Sequence, residues 1–205
     1  MISDAYFGRF ETVKYRKAGA LKRKLIQRFA SAIHDLFIEA NPVERVLEVG
    51  VGEGFLSGYL SEKFPEKQFT GVDLSPADIE RLQRLFPRIQ ARVGSAYDLG
   101  DLCETSPGFD LVICAEVLEH LDTPDRALAE IQRLSPRRVI LSVPHEPFFK
   151  LSNLLAGNNV LRLGNDSDHV NHWNPTSFRR LIEPRFDVLR MTTSYPWILC
   201  LAAPR

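Results

Sequence analysis

Residues 46–54 read Val-Leu-Glu-Val-Gly-Val-Gly-Glu-Gly, an apolar run that ends in three glycines at alternate positions. Glycine adopts positive φ without steric penalty and lets the backbone approach a ligand closely, so this stretch predicts a buried strand closed by a sharp bend. The pattern downstream is one of alternation. Apolar segments at 45–49, 68–72, 89–93, 109–114 and 139–143 read as strands. Helical patterns lie between them, through 60–64, over 76–86 behind the cap-like Ser75-Pro76, and near 124–134. Apolar strands separated by helices imply a mainly parallel sheet covered on both faces, an α/β architecture. Residues 186–193 and 198–203 read as a closing hairpin, which brings the strand count to seven. In open sheets of this kind ligands bind beyond the carboxyl ends of the strands, where the glycines, Asp73 and Glu116 fall.

Ahead of the first strand, Leu21, Leu25, Phe29, Ile33 and Phe37 recur every four residues and predict a helix from about Ala20 to Ala40, ended by Asn41-Pro42. At 205 residues the chain suits one domain, divided into an N-terminal helical segment (1–40), the sheet, and an inserted helix-and-loop lid over one edge (144–175). Lys plus Arg and Asp plus Glu both number 26, and this neutrality argues against broad capture of nucleic acid or anionic membrane. Arg16, Lys17, Lys22, Arg23, Lys24 and Arg28 crowd the first helix. With Glu11 and Asp35 beside them they read as a solvated face, and contact with RNA phosphates is the alternative. Met1 to Phe10 carries Asp4 and no apolar core, so it does not read as a signal peptide, and Trp197 to Ala203 is too short to span a bilayer. Cys103, Cys114 and Cys200 share no metal-type spacing, and the expectation is reduced thiols, two of them in the core of a cytoplasmic protein.

Asp73 follows Gly54 by 19 residues, at the end of the second strand, where an acid can accept hydrogen bonds from both ribose hydroxyls of an adenosine. The loop is Gly-x-Gly-x-Gly, unlike the Gly-x-Gly-x-x-Gly of dinucleotide sites. Glu48, just before the first glycine, discriminates further. A carboxylate repels a pyrophosphate but attracts the sulfonium and ammonium of S-adenosylmethionine, which disfavours a nicotinamide-dependent oxidoreductase.

Glu48 to Gly54, Gly71-Val72-Asp73-Leu74-Ser75 and Phe109-Asp110-Leu111-Val112-Ile113-Cys114-Ala115-Glu116 resemble the successive motifs of class I methyltransferases. The likeness runs from about Tyr6 to Phe186 and is greatest to the small-molecule branch that includes ubiquinone-biosynthesis enzymes. It implies a single-domain, Rossmann-like, seven-stranded, mostly parallel sheet with S-adenosylmethionine as cofactor. By that resemblance Glu48, Gly50 and Gly52 surround the methionine moiety, and Asp73 with Leu74 the ribose. Gly94-Ser95-Ala96 flanks the adenine, with Ser95 standing where the family usually has Asp. Ala115 and Glu116 wall the donor methyl.

Glu116-Val117-Leu118-Glu119-His120 follows the fourth strand. Were this turn helical, Glu116, Glu119 and His120 would share a face and suit Mg²⁺ or another divalent ion, able to lower the pKa of an acceptor hydroxyl. The Glu-x-x-Glu-His pattern is similar to the metal-binding segment of ubiquinone O-methyltransferases and of small-RNA 3′-terminal 2′-O-methyltransferases. By the second likeness His169, in Asp168-His169-Val170-Asn171-His172-Trp173, is the fourth ligand. Without a metal, the same residues simply cap a turn.

His145, His169 and His172 fall in the irregular region expected to overhang the pocket. His145, beside Glu146, is the metal-free base candidate, and His120 the other catalytic candidate. His34 reads as structural. Phe148, Phe149, Leu151, Leu154 and Leu155 form an amphipathic pattern that suits either a lid on an apolar acceptor or a buried helix face. Trp173 and Trp197 line the pocket or fill the core, and Tyr6, Phe7 and Tyr15 are candidates to close over the donor. The reading favoured is methyl transfer to oxygen of a small-molecule acceptor, metal-assisted or not. Two others stay open: an RNA 3′-terminal 2′-O-methyltransferase, and a non-catalytic donor-binding module.

Overall fold

The computed structural model describes residues 2–16, 18–105, 108–146 and 169–205. Seven strands form one sheet: β1 (Arg45–Val49), β2 (Gln68–Asp73), β3 (Gln90–Val93), β4 (Leu111–Ala115), β5 (Arg138–Pro144), β6 (Phe186–Ser194) and β7 (Trp197–Pro204). Their order is β3-β2-β1-β4-β5-β7-β6. The first five are parallel, and β7 enters antiparallel between β5 and β6 as the second arm of the expected hairpin. The order reverses between β1 and β4, which opens a crevice at their carboxyl ends.

Helices cover both faces: α1 (Asp4–Phe7), α2 (Val13–Arg16), α3 (Ala20–Glu39), α4 (Phe55–Lys63), α5 (Pro76–Leu85), α6 (Gly100–Thr105), α7 (Pro124–Arg133) and α8 (Pro175–Ile182). Side chains alternate across the sheet, so each strand divides its apolar residues between two cores. On β4, Leu111, Ile113 and Ala115 pack toward α3 and α4, while Val112 and Cys114 pack toward α7 and α8. Burial on both faces is why these strands read as continuous apolar runs rather than alternating ones. Cys114 and Cys200 are buried free thiols, as expected, and burial pushes both above the usual thiol range.

The four-residue stripe on α3 needs a correction. Four residues overshoot a helical turn by roughly 40°, so the stripe drifts by roughly 160° from Leu21 to Phe37. Leu21 is consequently 73% exposed, while Ile26, Ala30 and Leu36 join Phe29, Ile33 and Phe37 in the core. Of the expected lid, residues 147–168, including the Phe148 to Leu155 pattern, lie outside the described residues. Beyond them the chain enters α8, opened by a reciprocal Asn174–Ser177 capping box with Pro175 in its first turn. Among the described residues no helix is long and apolar enough to cross a membrane.

Candidate active site

Gly50, Gly52 and Gly54 all have positive φ, at 76°, 52° and 84°. The bend they form is pinned to β2, because the Gly50 and Val51 N–H groups both donate to the Val72 carbonyl (2.8 and 3.1 Å). At Gly50 a second requirement adds to the dihedral, since a Cβ there would lie 2.2 Å from Val117 Cγ2. The turn after β4 therefore sits directly on the glycine bend.

Glu48 precedes the bend and is only 3% exposed. Its Oε2 accepts from the Ser57 N–H (2.9 Å) and the Ser57 hydroxyl, both from α4. Burial nonetheless dominates and pushes its pKa up to about 7, with the Ser57 bonds pulling the other way. Asp73, at the end of β2, joins two elements. Its Oδ2 accepts from Gly52 N–H (2.8 Å) and its Oδ1 from Ser75 N–H (2.9 Å) at the start of α5. Each oxygen keeps a further lone pair for a ligand.

A cavity of about 210 Å³ opens at this end of the sheet, and Glu48, Gly50, Gly52, Ala115 and Glu116 line it together. Leu74, Ser95 and Ala96 are not in that lining; they follow β2 and β3, where Gly94 N–H is bonded to the Asp73 carbonyl (2.9 Å). Tyr15, Phe29 and Trp197 supply an aromatic wall. Trp197 is thus a cavity residue, whereas Trp173 packs in the core near Phe178 (ring centroids 5.9 Å apart). The N-terminal segment reaches the same place. Tyr15 stacks on Phe55 at 4.2 Å, the Tyr6 hydroxyl donates to the Phe55 carbonyl (2.8 Å), and Glu11 N–H donates to Glu53 Oε2 (2.8 Å). Sequence reasoning missed Glu53. An acid inside the glycine bend was visible, but its partners, Glu11 and Arg81 (3.4 Å), come from distant parts of the chain.

The expected helical turn of carboxylates and histidine is not what forms. Glu116 has φ +60°, and only Leu118–His120 makes a single 3₁₀ turn. The Glu116 side chain turns away from that element: Oε1 accepts from the Ser142 hydroxyl (3.0 Å) and Oε2 from Trp197 Nε1 (2.5 Å). Glu116 lines the cavity and is not among the described residues whose ligand atoms converge. Glu119, His120 and His169 do converge, with ligand atoms within 4.8 Å of one another. The Val170 and Asn171 N–H groups both donate to the Glu119 carbonyl (2.9 and 3.2 Å) and hold the His169 segment against the turn. Among the described residues this is the group with metal-ligating geometry.

His145 closes β5 against Trp173, and its N–H donates to the Pro196 carbonyl (2.8 Å). Burial lowers its pKa, against the pull of Glu146, so the ring is neutral near pH 7. It does not line the 210 Å³ cavity. His172 lies 3.6 Å from Glu146, and His34 stacks on Phe64 as a structural residue.

Residues 21–185 match a family model described as a methyltransferase domain. The chain belongs to that family. This methyltransferase domain is of the class I, S-adenosylmethionine-dependent type. It is 36% identical over 130 residues to the malonyl-[acyl-carrier protein] O-methyltransferase of Laribacter hongkongensis, covering 58% of this chain and 42% of that protein. It is 28% identical over 145 residues to the mitochondrial ubiquinone biosynthesis O-methyltransferase of Saccharomyces cerevisiae, covering 67% and 46%. The chain thus spans less than half the length of either relative. The magnesium protoporphyrin IX methyltransferase of Synechocystis PCC 6803, solved with bound S-adenosylhomocysteine, shares the fold with a TM-score of 0.69 at 19% identity, over 92% of this chain and 89% of that one.

Proposed function

We propose that this methyltransferase domain transfers the methyl group of S-adenosylmethionine to an oxygen of a small-molecule acceptor in one in-line displacement. One observation carries the reading: the buried carboxylate of Glu48 and the glycine bend share a cavity with Ala115, Glu116 and an aromatic wall. A donor bearing a sulfonium and an ammonium suits a buried anion, and a diphosphate does not. In this reading Glu48, Gly50 and Gly52 hold the methionine portion and Asp73 takes the ribose hydroxyls. Leu74, Ser95 and Ala96 flank the adenosine, and Ala115 with Glu116 walls the transferring methyl. The acceptor oxygen attacks the methyl carbon as the C–S bond breaks, and its proton passes to a base. Neutral His145, or His120 on the turn after Glu116, serves as that base. The remaining work is positioning and exclusion of water by Tyr15, Phe29 and Trp197. The names of both relatives specify O-methylation, which supports oxygen as the acceptor atom.

Glu119, His120 and His169 offer one carboxylate and two imidazoles, a donor set that fits Zn²⁺, Mn²⁺ or Fe²⁺ better than Mg²⁺ now that Glu116 is committed elsewhere. A divalent ion held there would supply Lewis acidity to an acceptor hydroxyl. Thermal unfolding tests both parts. S-adenosylhomocysteine at about a hundred times its Kd is expected to stabilise the domain by about 2.7 kcal/mol, and NAD to leave it unmoved. A further increment with Mn²⁺ or Zn²⁺ is expected to vanish in Glu119→Gln. No response to the nucleoside sinks the donor site, and a metal increment that survives the substitution removes the ligand set.

Glu48 makes donor binding pH-dependent. Its folded pKa is raised from 4.5 to about 7, so the ligand-free protein holds a proton there across that window and loses stability as pH rises through it. A cationic donor favours the carboxylate and expels the proton. Affinity for S-adenosylmethionine is therefore expected to rise with pH up to about 7, by as much as about tenfold per unit, and then level off. Calorimetry in two buffers of different ionisation enthalpy reads the released proton directly. Glu48→Gln should flatten the profile; an unchanged slope assigns it to another group.

A further inference from the structure

A second hollow, of about 660 Å³, lies at the opposite end of the sheet from the donor cavity. Its lining includes Arg45, Gln68 and Gln90, the first residues of β1, β2 and β3. In a parallel sheet that is the amino end, remote from donor and acceptor. Four cations border it: Arg9, Arg45, Lys67 and Arg88. Two of them are answered locally, Arg9 by Glu62 (2.5 Å) and Lys67 by Glu66 (3.7 Å) and the Val43 carbonyl (2.5 Å). For the other two, no carboxylate among the described residues lies within salt-bridge distance. Arg88 donates to the Pro65 carbonyl (2.7 Å).

Arg45 is the more telling case. It is half-buried, and its Nε is shut off from solvent without a hydrogen-bond partner among the described residues. The nearby acid, Asp110, accepts the backbone N–H groups of Glu44 and Arg45 at its Oδ2 (both 2.9 Å), and, against the effect of burial, the Arg45 charge helps hold its carboxyl below the usual range from beyond salt-bridge distance. Arg45 and Arg88 both line the hollow, and two guanidinium groups with no carboxylate within salt-bridge distance among the described residues match an oxyanion. The volume falls in the range of sites that take a small organic ligand.

We propose that this hollow is a second binding site, for a phosphate-bearing small molecule, with Arg45 and Arg88 as its anchors. It does not depend on the proposed transfer reaction, since none of its residues lines the donor cavity. Being away from the carboxyl ends of the strands, it binds without competing with S-adenosylmethionine.

The test is calorimetric titration of the domain, saturated with S-adenosylhomocysteine, with pyrophosphate against sodium chloride of equal ionic strength. Saturable binding is expected at millimolar Kd or tighter. Arg45→Gln and Arg88→Gln should each weaken it about tenfold, the loss of one charge-assisted contact, and Arg45→Lys should restore part of it. Nucleoside affinity should stay unchanged in all three, which also reports that each variant is folded. No saturable heat beyond the salt control, or full binding in both glutamine variants, overturns the site. Competition by pyrophosphate for the nucleoside would place the anion at the donor end instead and overturn it equally.

Discussion

Asp73→Ala is expected to lower affinity for S-adenosylhomocysteine by at least about a hundredfold, the largest effect of any single substitution at the donor site. Two contributions add. In the proposed reading the carboxylate accepts from both ribose hydroxyls, and charge-assisted bonds of this kind contribute about 1.5–3 kcal/mol each when made in a dry site. Losing two is worth roughly 3 kcal/mol or more, or two decades in Kd. The same carboxylate also ties Gly52 N–H to Ser75 N–H, so its removal frees the glycine bend from the start of α5. Asp73→Asn separates the contributions. It keeps one acceptor oxygen, but its NH₂ must face either the Gly52 or the Ser75 N–H, donor against donor. It should therefore lose nearly as much affinity as alanine. Calorimetry measures both, and a Kd within threefold of the parent in either variant would remove Asp73 from the ribose contact.

How much of this was legible in the sequence varies by the range of the interaction. The central strands were visible because burial on both faces leaves unbroken apolar runs, with the turn residues between them, while the edge strands β3 and β6 are largely exposed or half-buried. α8 is not read from the sequence although Asn174-Pro175-Thr176-Ser177 carries its start signal, since the lid expectation ends at Pro175 and takes in its cap. The glycine bend and Asp73 were readable as local chemistry. The Glu116 contact with Trp197 is not readable locally, because Trp197 lies 81 residues further on in a strand that only the sheet order brings alongside. Spacing along the chain grouped Glu119 with His120, the resemblance to small-RNA 2′-O-methyltransferases added His169, and the fold brings the three together. Yet the inclusion of Glu116 assumed a helix, and a residue at φ +60° ends one before it starts. Arg45 at the far hollow had no local signature at all. An arginine at the head of a strand looks like any other until its neighbours are seen to be engaged elsewhere.

Gly50→Ala is expected to destabilise the ligand-free domain by about 2–5 kcal/mol, and its partner Val117 explains why. An alanine at φ +76° carries a left-handed strain of about 1–2 kcal/mol. Its Cβ would also sit 2.2 Å from Val117 Cγ2, an overlap that must push the turn after β4 away from the bend at a further ~1–3 kcal/mol. Gly52→Ala is the internal control, because φ there is +52° but nothing lies within 4 Å of the added methyl, so only the strain remains. Val117→Ala removes the obstructing Cγ2. In the double variant Gly50→Ala/Val117→Ala the two losses should fall short of their sum by about 1 kcal/mol or more, the signature of a shared contact. Urea unfolding of the four proteins gives the coupling. Strict additivity would mean that the bend and the turn after β4 relax independently. Donor affinity should track the same cycle, recovering in part in the double variant, because the glycine bend and the wall formed by Ala115 and Glu116 face one cavity from its two sides.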